Sequence, residues 1–193
     1  MQLIGLGCPN ASFRVYLAAP PAMAAYQQLT GMAPMQPGDI EQIYRHCGNG
    51  WRKVFNVYAK LLSALPTPAF SLASGAGSWQ QFRDQQLLQA NSDTALCFCM
   101  PTPAATGIQL IAGRTLARQW LAQGMAAELQ WLTAEFAVDP QRRLLVTPFF
   151  DYRQLNNAKI SCTAQLLLLL QQGVTAIACY QAVLAQTVPE QWR

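Results

Sequence analysis

Charge is scarce in this chain: Asp, Glu, Lys and Arg make up 11% of its 193 residues, against about 25% in an average soluble protein. So little charge can neither solvate a disordered tail nor supply the flanking ion pairs of a coiled coil. Neither sign dominates, since 13 basic residues against 9 acidic ones leave a net +4, too small an excess to mark a nucleic-acid-binding protein by charge alone. Histidine is reduced to His46, so a zinc site or a Ser-His-Asp triad has a single imidazole to draw on. No H-E-x-x-H, G-x-S-x-G, G-x-G-x-x-G or Walker-type phosphate loop is present, and no cofactor is implied. Apolar runs are short as well. The five leucines at 166–170 fall far below the ~20 residues of a membrane span, and Gln165, Gln171, Gln172 and Gly173 bracket them, so no membrane is expected. The first eight residues carry neither a basic stretch nor an apolar core long enough for an export signal, which makes a soluble, cytoplasmic protein the expectation.

What the chain does hold is apolar bulk, 52% of its residues. A chain of this length buries roughly 70% of the surface its unfolded form exposes, so one domain over residues 1–193 can fold around a single core without covalent staples. The six cysteines are accordingly read as free thiols buried as small hydrophobes. Cys97 and Cys99 would share one face of a strand, but the pair lacks both the two-residue spacer and the second pair of a metal site.

Punctuation by Gly and Pro divides the chain. Residues 13–17 alternate and favour a strand, and 22–30 should be a short helix. Asp39 is placed to cap a helix with Ile40, Ile43, Tyr44 and Cys47 on one face. Gly48-Asn49-Gly50 interrupts that helix before the stripe Trp51, Val54, Phe55, Tyr58, Leu61, Leu62 and Leu65. Residues 66–78 read as a linker, followed by a helix capped by Ser78. Strands are expected at 94–100, 107–113 and 143–147, and helices at 114–123, 125–136, 161–172 and 175–186. Strands separated by helices predict an α/β fold, a three-layer α/β/α arrangement with a small, mostly parallel sheet over 79–193 and a helical N-terminal lobe over 1–65.

Ligands of open parallel sheets bind at the carboxyl ends of the strands, which makes the segments after 100, 112 and 147 the candidates. The run Thr147-Pro148-Phe149-Phe150-Asp151-Tyr152-Arg153-Gln154-Leu155-Asn156-Asn157 concentrates an acid, a base, amides and aromatics in a chain otherwise poor in charge. As a recognition loop, Asp151 accepts a proton or hydrogen bonds and Arg153 clamps an anion. Gln154 and Asn156 would read an amide-like edge while Phe150 or Tyr152 stacks on a flat ring. As a structural loop, Asp151 instead pairs with Arg153 or Arg52 and the asparagines make turns and cap the next helix. Gly113-Arg114-Thr115 stands where a strand turns into a helix, so free N–H groups and Arg114 can meet an anion there. Asn49 with Arg52 and Lys53, two cations at a helix start where the macrodipole disfavours them, would close the other side.

The order of a strand ending Phe98-Cys99-Met100-Pro101, the stretch Leu110-Ile111-Ala112-Gly113-Arg114-Thr115-Leu116-Ala117, and a strand entering Val146-Thr147-Pro148 resembles the uracil-DNA glycosylase superfamily over residues 94–157. The resemblance implies an α/β/α sandwich that receives a flipped base at the strand exits, with Phe150 or Tyr152 as a stacking surface. The superfamily's Gly-x-Asp/Asn-Pro run is missing near Met100, and Phe149-Phe150-Asp151 stands where its His-Pro-Ser would be, leaving Asp151 as the acid or base. Three expectations follow: a module for a small anionic or nucleotide-like ligand; a nucleic-acid-processing protein of glycosylase-like fold; or a structural homo-oligomer using its 22 glutamines and Trp79, Trp120, Trp131 and Trp192 as an interface.

Overall fold

The computed structural model describes residues 3–73, 75–103 and 106–187. The N-terminal stretch runs through β1 (Gly5–Gly7), β2 (Phe13–Tyr16), the single-turn α1 (Ala24–Gln27) and β3 (Met32–Ala33). Helices α2 (Asp39–Cys47), α3 (Asn49–Ala64) and α4 (Trp79–Gln85) lead to β4 (Thr94–Cys97). Then come β5 (Ile108–Ala112), α5 (Arg114–Ala122), β6 (Gln130–Trp131), β7 (Ala137–Asp139), β8 (Leu144–Thr147), α6 (Asn157–Gln171) and α7 (Ile177–Thr187).

These strands form one sheet of eight in the order β3-β1-β4-β2-β5-β8-β7-β6. The inner four, β4-β2-β5-β8, are parallel throughout, while β1 and β7 flank them antiparallel. The fold is α/β as expected, but the sheet is larger and more mixed than the sequence suggests. Nor does the N-terminal stretch form a helical lobe beside it: β2, from that stretch, is an interior strand, and α2 and α3 follow it onto the sheet.

Side chains alternate between the two faces because the strand period is two. Phe13, Val15, Leu96, Leu110 and Leu145 point to one face, where Val54, Tyr58 and Leu62 of α3 and Leu166, Leu167 and Leu170 of α6 cover them. Tyr16, Ala95, Cys97, Ile111, Leu144 and Val146 point to the other, under Leu116, Ala117 and Trp120 of α5. Tyr58 is fully buried and donates its hydroxyl to the Ala95 carbonyl at 3.0 Å, tying α3 to β4. The buried Tyr16 hydroxyl likewise donates to Gln109 Oε1 at 3.1 Å, linking β2 to β5 on the second face.

Residues 125–136 are not a helix. Met125, Leu129, Leu132 and Phe136 share a helical stripe, yet Met125 and Leu129 pack on the α5 face and Leu132 and Phe136 on the α3 face. One helix cannot serve both sides of a sheet, so the segment runs around its edge and supplies β6 before β7. Asp139, fully buried, fixes the turn that follows by accepting from Glu128 N at 2.7 Å, Arg142 N at 3.1 Å and Arg142 Nη1 at 3.0 Å.

Smaller corrections concern helix starts. Gly38, not Asp39, occupies the cap position of α2, and Asp39 instead accepts from Gln36 N at 2.8 Å. Only Gly48, at φ +81°, breaks the chain between α2 and α3, since Asn49 and Gly50 are already helical. Helix α6 begins four residues earlier than its apolar stripe because Asn156 caps it, accepting from Lys159 N at 3.0 Å.

Candidate functional site

The connection leaving β2 passes to the α3 face and the one leaving β5 passes to the α5 face, so the chain splits at the carboxyl ends of these neighbouring strands. Such a switch point leaves a crevice that no connection covers. Here it is a cleft of about 480 Å³. Ala18 after β2, Ala112 and Gly113 after β5, and Pro148 and Phe149 after β8 form its base. Arg114, Thr115, Glu135 and Gln154 supply its polar walls.

Each wall has a structural reason to be where it is. Gly113 donates its N–H to the Thr147 carbonyl at 2.9 Å and takes φ +121°, a left-handed turn that suits glycine and aims the first turn of α5 at the cleft. No side chain caps α5, and its first turn carries no acid, so its leading N–H groups and their partial positive charge face this end of the sheet. Arg114 is exposed and donates to the Ala134 carbonyl at 3.3 Å, which leaves most of its guanidinium available. Glu135 is held by the buried Lys159, with Nζ to Oε2 at 2.5 Å, and about a third of its side chain remains exposed. Phe149 is 38% exposed, unusual for so large a ring, and it stands beside Gly113. The arrangement therefore offers a ring face, an amide edge, a fixed carboxylate, a guanidinium and a helix N-terminus within one crevice.

The residues expected from the sequence sort into two groups. Arg114 and Gln154 meet in the cleft. Asp151, Tyr152, Arg153 and Lys53 form a separate cluster where the loop after β8 leans on α3. Lys53 Nζ pairs with Asp151 Oδ2 at 2.7 Å, and the Arg153 N–H donates to Asp151 Oδ1 at 3.0 Å. Burial pushes the Asp151 carboxyl up, but the Lys53 hydrogen bond, the Arg153 N–H and the two positive charges outweigh it and hold the group below its ordinary value. Asp151 is thus an engaged carboxylate. Lys53 also lies 5.1 Å from the centre of the Tyr152 ring and Arg153 6.0 Å from it.

Asn156 caps α6 and does not line the cleft, and Asn49 and Arg52 are exposed on the first turn of α3, outside both groups. Phe150 cannot stack on a ligand: it is fully buried, with its ring centre 5.9 Å from that of Tyr58. Phe149, one residue earlier, is the accessible ring instead, because a strand exit alternates its sides. Glu135 and Phe149 were not singled out from the sequence. The only signal for Glu135 is that it is one of 9 acids; the misread helix at 125–136 hid it.

Elsewhere, His46 sits at the end of α2 with Nδ1 2.8 Å from the Gln42 carbonyl oxygen. All six cysteines are free, and the Cys97 thiol is pushed up to about 12 by burial and the neighbouring Cys99. No group of three metal-ligating side chains occurs among the described residues. No helix among them is long and apolar enough to cross a membrane. Among the described residues the tryptophans form no common exposed face: Trp120 is buried edge-on to Tyr16, Arg118 lies over Trp131 at 4.7 Å, and Lys60 and Arg83 lie over Trp79. Trp192 falls outside the described residues.

Residues 4–168 match a family of unknown function (DUF6942), and the chain belongs to it. No curated protein and no solved structure matches the chain.

Proposed function

We propose that the cleft at the carboxyl ends of β2, β5 and β8 binds a small anionic, nucleotide-like ligand. The observation that carries this reading is the convergence of an uncapped helix N-terminus, Arg114, Gln154 and the half-exposed Phe149 ring on one crevice at the switch point of the sheet. The α5 N–H groups and Arg114 would take the anion, Phe149 would stack on a flat ring, and Gln154 would pair with that ring's polar edge. A volume of about 480 Å³ is in the range of small-molecule sites. Calorimetric titration with uridine and adenosine 5′-monophosphates, with inorganic phosphate alongside, tests the reading. Arg114→Ala should weaken every anion about tenfold, the loss expected of a charge-assisted hydrogen bond. Phe149→Ala should erase the preference for nucleotide over phosphate, and Arg118→Ala should change neither. Saturable nucleotide binding that survives both cleft substitutions would place the ligand elsewhere.

One observation favours a second reading, a nucleic-acid-processing protein of uracil-DNA glycosylase-like fold. Tyr152 is 55% exposed and carries Lys53 and Arg153 near its ring, the pairing of stacking surface and cations that single-stranded nucleic acid uses. On this reading an oligonucleotide binds more tightly than a mononucleotide, its affinity falls steeply with salt, and Tyr152→Ala removes the difference.

A further inference from the structure

The opposite end of the sheet holds a larger cleft, about 670 Å³, which the nucleotide reading does not use. Its floor is formed where β2 and β5 begin, by Phe13 and Ile108. That floor is locked. The Asp93 carboxylate accepts from Ser12 N at 2.6 Å and from the Ser12 hydroxyl, and Ile108 N donates to the Ser12 carbonyl at 2.7 Å. Gly107 sits at φ +85° with no room for a side chain, because a Cβ there would lie 2.2 Å from the Ser12 oxygen.

The rim is chemically distinct from the other cleft. Gln36, Gln86, Gln89, Asn91 and Gln171 bring five primary amides to it, and none of these amides has a hydrogen-bond partner among the described residues. Arg143 adds one guanidinium, also without a partner there, carried on backbone at φ +48°. Helices α4 and α6 end here, at Gln85 and Gln171, so the partial negative charge of two helix C-termini lies on this side, with the Leu168, Leu169 and Leu170 carbonyls already accepting from Gln172, Val174 and Gly173 N.

We propose that this cleft is a binding site for a hydroxyl-rich carboxylate, a sugar acid. A primary amide offers a donor and an acceptor side by side, which matches a hydroxyl group, itself both donor and acceptor. The lone guanidinium takes one carboxylate in a bidentate pair. A peptide is disfavoured because it docks on sheets by pairing with an edge strand, and the edges here are β3 and β6, away from a cleft built on the ends of interior strands. A nucleic-acid backbone needs a series of cations, and Arg143 is the single cation in the lining.

The test uses the full chain with D-glucuronate as probe, followed by calorimetry and by the side-chain NH₂ signals of Gln and Asn in ¹H–¹⁵N spectra. Glucuronate should bind saturably, shift the signals of Gln86, Gln89 and Asn91, and bind about tenfold more tightly than D-glucose, as one charge-assisted contact requires. Arg143→Asn removes the guanidinium while keeping a residue that tolerates left-handed backbone, and should abolish that preference without lowering the melting temperature. Gln86→Leu with Gln89→Leu should weaken glucuronate and glucose alike. Absence of saturable binding, equal affinity for acetate and glucuronate, or shifts confined to Gln154 would each overturn the proposal. Arg114→Ala, in the other cleft, should leave glucuronate binding intact.

Discussion

At the carboxyl ends of the parallel strands the polar groups are charged and engaged with one another, Glu135 with Lys159, Asp151 with Lys53 and Arg114 with a backbone carbonyl. At the amino ends they are mostly neutral amides without partners among the described residues, set over a floor fastened by Asp93 and Ser12. The difference follows from helix direction. A helix that starts at a strand exit presents donors and a positive partial charge, and suits anions. Helices that finish near the strand entrances put a partial negative charge there, so a carboxylate at that end depends on Arg143 while the amides take its hydroxyl groups. Of the three left-handed non-glycine residues, Asp93, at φ +54°, and Arg143, at φ +48°, line the amino-end cleft, while Leu88, at φ +61°, is buried in the core.

The largest expected effect separates the two ends by their glycines. Gly107→Ala drives a Cβ into the Ser12 backbone oxygen and should cost more than about 3 kcal/mol in chemical denaturation. Gly113→Ala meets nothing closer than the Phe149 ring at 4.0 Å, so its cost should be confined to the left-handed backbone, about 1–2 kcal/mol. Equal losses would mean that the amino-end floor is no more rigid than the strand exit.

Next in size is the ion pair under the carboxyl-end cleft. Glu135→Ala removes the carboxylate facing the buried Lys159 and should cost about 2 kcal/mol, less than a fully buried pair because Glu135 is a third exposed. Replacing Lys159 by Met in the same protein should restore much of that stability. If the double variant is no better than the single one, the pair is not what holds Glu135 in place.

Tyr58→Phe deletes the hydroxyl bond to Ala95 beneath both ends and should cost about 1 kcal/mol while leaving both ligand affinities unchanged. The smallest effect is on the pH profile. Asp151 has a depressed folded value, so its contribution is complete above the ordinary carboxylate pKa of about 3.9 and is lost as the pH falls through the lower folded one. Asp151→Asn should therefore lower stability at neutral pH and flatten the acid limb below pH 4. An unchanged acid limb would mean that Lys53 does not discriminate between the charged and neutral carboxyl.

Much of this architecture was legible in local pattern. The stripe from Trp51 to Leu62 predicts α3, Ser78 caps α4 by accepting from Gln81 N, and the run into Gly113 predicts β5 and α5. Segments shorter than four residues, β1, β3, β6 and β7, were not, because three alternating side chains carry no period to read. The loop after β8 was legible as a segment but not as a site. Its density of polar groups does mark 147–157, yet Asp151 turns toward Lys53 of α3 and Arg153 lies near the Tyr152 ring, whereas Gln154 and Phe149 turn toward the cleft. Which way each points depends on what α3 places beside the loop.

Composition and periodicity were enough to settle that this chain folds as α/β, with free thiols and strand exits rich in polar groups, because burial, turn chemistry and strand alternation act over neighbours in the chain. Which strands adjoin, and hence that Arg114 meets Gln154, Lys53 meets Asp151 and Arg143 faces the amides of Gln86 and Gln171, came from packing in three dimensions. Those partners are tens of residues apart, and their encounter depends on two helical layers closing over one sheet from opposite sides.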